Sequence, residues 1–153
     1  MLVVGKTDVG NWDKALDDYT SRLKHYLPFE TEVIRDLKNA KSMSESQQKE
    51  SEGTLILKSL QAGDVCVLLD ERGKTYTSKQ FATWLEKQLL SASKRLVFII
   101  GGAYGFSDEV YERVSERLSL SKMTFSHQMT RPIFVEQLYR AMTILRGEGY
   151  HHE

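Results

Sequence analysis

Three things are scarce in this chain of 153 residues. There is one cysteine, so no disulfide can form within the chain. Cys66 stands in the apolar run Val65–Leu69, where a thiol serves as a small hydrophobe. There is no surplus of charge: 21 Lys and Arg balance 21 Asp and Glu. That balance excludes a strongly basic module with a broad pull on nucleic acid, but leaves room for a local basic site. Long apolar runs are also missing, since spanning a bilayer takes about 20 apolar residues and no stretch approaches that. No basic-then-apolar leader opens the chain either. These absences predict a cytoplasmic protein without a membrane partner. What is present, 41% hydrophobic and 27% charged residues, is ordinary globular composition. The length suits a single domain over residues 1–153.

Strand and helix signals alternate along the chain. Met1–Val4 reads as a strand ending at Gly5, and Gly5-Lys6-Thr7 lacks the upstream glycine of a phosphate-binding loop. From Trp12, apolar residues recur at Leu16, Tyr19, Leu23 and Tyr26 or Leu27 with helical spacing, and Pro28 closes that helix. Phe29–Ile34 reads as a strand, and the polar stretch from Lys38 as a loop. Ser44 and Gln47 form a capping box for a helix toward Leu60. Asp64–Asp70 is the next buried strand, Glu71–Lys74 a turn, and Ser78 the cap of a helix with Phe81, Trp84, Leu85 and Leu89 inward. Leu96–Ile100 is apolar without alternation, as in a strand covered on both faces. Gly101-Gly102-Ala103-Tyr104-Gly105 follows, then a helix capped by Ser107 and an extended segment Leu118–Phe125. The last helix is expected to start near Arg131, with Thr130 as cap and Pro132 in its first turn, or else to be kinked. This alternation predicts an α/β fold, a mostly parallel sheet flanked by helices.

The search for function starts at the glycine turn, because ligands of open α/β sheets bind at the carboxyl ends of strands. Gly-Gly-x-x-Gly is not the dinucleotide pattern. The positions about 20 residues on, where a ribose-binding acid belongs, read Ser121-Lys122-Met123-Thr124-Phe125. Adjacent His151 and His152 with Glu153 lack a ligand spacing, so no metal is expected. Tyr150 and His151 suit an RNA base better, through stacking and hydrogen bonding.

Several separate segments, in order, resemble one family. They are Val3-Val4-Gly5-Lys6, Leu69-Asp70-Glu71-Arg72-Gly73-Lys74, Val97–Gly102, Leu118–Gln128, Glu136–Ala141 and Tyr150-His151. The chain resembles the RlmH family, bacterial methyltransferases of the knotted SPOUT class that modify pseudouridine in 23S ribosomal RNA. The resemblance implies a C-terminal trefoil knot, S-adenosylmethionine as cofactor, 23S ribosomal RNA within the ribosome as partner, and a homodimer with sites at the subunit interface. It puts cofactor binding on Leu69, Gly101, Leu120, Ser121, Lys122, Met123, Thr124 and Phe125. His127 and His151 become candidate bases, Tyr150 a stacking residue, and Arg131 and Arg140 phosphate contacts. Two departures stand out: Pro132 replaces an aliphatic residue, and the tail has Gly149 and His152 where the family usually has proline and a basic residue. A noncatalytic nucleotide-binding protein is the alternative. The final helix, apolar on more than one face from Ile133 to Leu145, predicts the dimer contact. Deleting residues 150–153 is expected to abolish methylation while leaving cofactor affinity and thermal stability nearly unchanged.

Overall fold

The computed structural model describes residues 1–8, 10–91 and 94–152. Five strands, β1 (Leu2–Val4), β2 (Glu32–Ile34), β3 (Val65–Lys74), β4 (Leu96–Ile100) and β5 (Arg117–Leu118), form one sheet in the order β2-β1-β4-β3-β5. Every pairing is parallel. The helices are α1 (Asn11–Leu23), α2 (Glu45–Ser59), α3 (Ser78–Ser91), α4 (Asp108–Arg113) and α5 (His127–Leu145), with a 3-10 turn at Ala40–Ser42.

The unbroken apolar strands follow from a sheet covered on both sides. Val67, Phe98 and Leu118 face a core shared with Leu16 and Leu23 of α1, Phe81 and Leu85 of α3, and Phe134 and Leu138 of α5. Cys66, Leu68, Val97 and Ile99 face the opposite core, with Ile56 of α2 and Val110 of α4. The expected capping box at Ser44 and Gln47 is present, as is the Ser107 cap. Among the described residues no helix is long and apolar enough to cross a membrane.

Several local expectations fail for identifiable reasons. Glu71–Lys74 is not a turn but the second half of β3, which pinches so that Leu69 and Lys74 both pair with Leu118. Gly73 makes this possible, because a Cβ there would lie 2.6 Å from the Leu118 backbone carbonyl carbon. Thr77, not Ser78, caps α3: its hydroxyl accepts from Gln80 N at 3.3 Å, and the Gln80 side chain accepts from Thr77 N. Leu89 and Trp12, expected inward, are exposed. The expectation of a strand or extended loop over Leu118–Phe125 holds, with Leu118 in β5 and residues 119–125 as loop. Helix α5 begins four residues earlier than expected. Ser126 caps it by accepting from Met129 N at 3.3 Å, and Pro132 lies inside it. The amide that proline removes would have bonded Gln128 O. Side-chain anchors compensate: Gln128 donates to Lys6 O at 3.0 Å, and Arg131 donates to Val4 O and to Thr7 Oγ1.

Candidate active site

The carboxyl ends of β3, β4 and β5 open onto one cavity of about 670 Å3, within the range of small-molecule sites. Leu69, Ile100, Leu118 and Leu120 give it an apolar lining. The glycine turn after β4 closes one side. A Cβ on Gly101 would come within 3.1 Å of the Phe106 ring and 3.2 Å of Gly105 O, a tight fit that any side chain there must push against. Behind Gly102, in the space a Cβ would fill, lies the Glu52 carboxyl, pushed up in pKa by burial and by the charge of Asp36.

The loop after β5 closes another side and is held by its own serines. Ser119 Oγ donates to Ser121 O at 2.8 Å, Ser121 Oγ accepts from Met123 N at 2.9 Å, and Thr124 Oγ1 donates to Glu71 Oε2 at 2.7 Å. The pinched half of β3 supplies Asp70, Glu71 and Arg72 to the same wall. Asp70 is fixed at both oxygens, Oδ1 accepting from Arg72 N at 2.8 Å and Oδ2 from the Tyr111 hydroxyl. Burial and that bond to Asp70 push the Tyr111 phenol up to about 12, so it stays a donor at neutral pH.

His127, the first residue of α5, stands half-buried on the cavity wall. Burial, then the charge of Arg131, hold its pKa below the ordinary 6.5, against the pull of Asp8 and Asp36. Its neutral tautomer follows from Gln128, whose Oε1 accepts from Asp8 N and whose Nε2 donates to Lys6 O, both at 3.0 Å. The Gln128 amide group therefore presents N–H to His127 Nε2 at 3.4 Å, leaving the ring proton on Nδ1.

The structure thus gathers Leu69, Gly101, Leu120, Ser121, Met123, Thr124, Phe125 and His127 around one cavity. Lys122 lies in the same loop, exposed, and does not line it. Arg131, expected to face phosphate, is fully buried and ties α5 to the end of β1. Arg140, also expected there, pairs with Glu136 at 2.5 Å and stacks over Tyr150 at 4.7 Å. Tyr150 and His151 do not reach the cavity wall of their own chain. Tyr150 folds back onto α5, its hydroxyl 2.9 Å from Glu136 Oε1 and 3.3 Å from the Tyr19 hydroxyl, its ring 4.7 Å from that of Tyr139. Burial and those hydrogen bonds hold the Tyr150 phenol well above its usual pKa, so in this position it is no proton acceptor. Glu153 lies outside the described residues. Asp70, Arg72 and Tyr111 are cavity residues that sequence reasoning did not single out, although Asp70 directly follows the apolar half of β3.

A parallel sheet with a ligand-sized cavity at its carboxyl edge, a glycine turn and an ordered loop define a class. The family model described as Predicted SPOUT methyltransferase matches residues 1–151, and the chain belongs to that family. Within it, the chain is similar to proteins named Ribosomal RNA large subunit methyltransferase H. That of Parabacteroides distasonis is 63% identical over 153 residues, covering 100% of this chain and 98% of the relative. Those of Bacteroides fragilis and Flavobacterium psychrophilum are 60% and 53% identical with the same coverage.

Proposed function

We propose that this chain is an S-adenosylmethionine-dependent methyltransferase acting on N3 of a pseudouridine in 23S ribosomal RNA, on the assembled ribosome in the cytoplasm. The observation that carries the reading is end-to-end identity of 53–63% to relatives named large-subunit rRNA methyltransferase H. The active form in this proposal is a homodimer of one-domain subunits, each knotted through its C-terminal segment.

The cavity's donor set fits the cofactor. Apolar Leu69 and Leu120 suit an adenine ring, and the loop over residues 120–125 offers main-chain amides and carbonyls to the edge of that ring. Asp70 adds a fixed acceptor. When bound, S-adenosylmethionine supplies an electrophilic methyl group on a sulfonium sulfur. The chain's own tasks are to orient the target base and to take the N3 proton. Alignment of this kind contributes on the order of 7–11 kcal/mol in the best cases. His127 is neutral at physiological pH and beside the cavity, and it takes the proton at Nε2 by releasing the loose 3.4 Å contact from Gln128. His151 and Tyr150 of the partner subunit complete the site in this reading, Tyr150 stacking on the base or ribose. Exposed Arg72 on the cavity wall and Lys122 in the loop are available to RNA phosphate, whereas Arg131 is not. The neutral net charge favours a substrate recognised by shape, hence ribosomes over free RNA.

Calorimetry tests the reading. Wild-type protein is expected to bind S-adenosylmethionine and S-adenosylhomocysteine saturably, and Gly101→Val to lose both, since its side chain collides with Phe106 and Gly105. Binding of NADH with no response to either adenosyl ligand would instead favour a noncatalytic nucleotide-binding protein.

A further inference from the structure

We infer that Asp70 holds the ribose diol of the adenosyl cofactor, an assignment that rests on the cofactor reading above. A carboxylate that reads a vicinal diol needs two oxygens fixed in place and lone pairs left over for two hydroxyl donors. Asp70 meets both conditions. One contact to each oxygen, from Arg72 N and from the Tyr111 hydroxyl, sets the plane of the carboxylate and leaves each oxygen further acceptor capacity. Tyr111 is itself held, its ring lying under the Arg117 guanidinium at 4.4 Å and edge-on to Phe106 at 5.9 Å.

Position supports the same assignment. Asp70 lines the cavity together with the Gly101–Gly102 turn of the neighbouring strand β4. In dinucleotide-binding α/β folds a carboxylate about 20 residues beyond the glycine turn takes the ribose hydroxyls. Here the positions about 20 residues on, Ser121 to Phe125, carry no acid, and the neighbouring strand β3 brings Asp70, 31 positions before Gly101, to the same cavity. The adjacent carboxylate, Glu71, is exposed and already accepts from Thr124. Asp70 is therefore the carboxylate that the cavity offers to the ligand.

The test is calorimetry with S-adenosylhomocysteine and with its 2′-deoxy and 3′-deoxy forms, on wild-type protein and Asp70→Asn. Each missing hydroxyl is expected to weaken wild-type binding about 10- to 100-fold, the size of a hydrogen bond to a charged group. Asp70→Asn is expected to weaken the parent ligand by a similar factor and to shrink the penalty for the deoxy forms to about twofold. Deoxy ligands that bind wild-type protein as tightly as the parent would overturn the assignment, and this arm needs no variant to fold. A full deoxy penalty surviving in Asp70→Asn would also overturn it, placing the carboxylate on another group such as the ligand's ammonium. Failure of wild-type protein to bind S-adenosylhomocysteine at all would instead overturn the cofactor reading, and the assignment with it.

Discussion

The two ends of α5 are built from similar residue types and used in opposite ways. At 19 residues the helix is about 28 Å long; His127 and Arg131 stand at its amino end, and Arg140 stands toward its carboxyl end, with Tyr150 and His151 in the tail beyond. At the amino end the arginine, Arg131, is buried against β1, which leaves His127 on the cavity wall. At the carboxyl end Arg140 is part-exposed, paired with Glu136 and stacked on Tyr150, within a cluster that includes Tyr19, Tyr26 and Tyr139. The first end is anchored so that a side chain can meet a ligand. The second has its aromatic ring satisfied internally. Residues proposed to act on one substrate thus lie at the amino end of the helix and in the tail beyond its carboxyl end, and the homodimer we propose would unite them.

The largest expected effect lies at the first end. His127→Asn is expected to lower methylation about 10²–10⁴-fold, the usual contribution of a positioned base, while changing S-adenosylhomocysteine affinity less than about threefold. The pH profile gives the sign. Burial and Arg131 hold His127 below 6.5, so it keeps its acceptor until the pH falls under that value. The acid limb of the rate should therefore lie below pH 6.5 and vanish in the variant. A limb above 6.5 would remove His127 from the reaction.

A smaller effect is expected at the second end, and it revises the expectation that the tail contributes nothing to stability. Tyr150→Ala removes the ring contact with Tyr139, the stacking of Arg140 and two hydrogen-bond contacts. The loss should be about 1–3 kcal/mol in denaturant unfolding. Tyr150→Phe, which keeps the ring, should lose less than half of that. Equal stability of all three proteins would mean that the tail does not dock in solution.

The same contrast explains how much could be read from the residues alone. The cavity's glycine turn is legible because a strand end is a local feature, whereas the loop over residues 120–125 enters the site only through the family resemblance. Part of α5's apolar surface is used within the chain, where Phe134, Val135, Leu138 and Ala141 are all buried. Periodicity reports that a face is covered but not by which subunit. The Asp70–Tyr111 bond joins residues 41 apart, and the Tyr19–Tyr150 contact joins residues 131 apart. No window along the chain contains either pair. Glu71–Lys74 reads as a turn because it is polar, yet it continues β3, and its Lys74 pairs with Leu118 of the edge strand β5.

Mixed dimers test most directly whether the two ends of α5 meet across subunits. One protein carries His127→Asn with an intact tail, and the other has an intact cavity but lacks residues 151–153, keeping docked Tyr150. Each alone should be nearly inactive on ribosomes. After subunit exchange, half of the dimers are mixed and each holds one complete site, so activity should return to roughly a quarter of wild type. If mixing restores nothing although exchange is complete, each site is built from one chain, and the division of labour proposed for α5 is wrong.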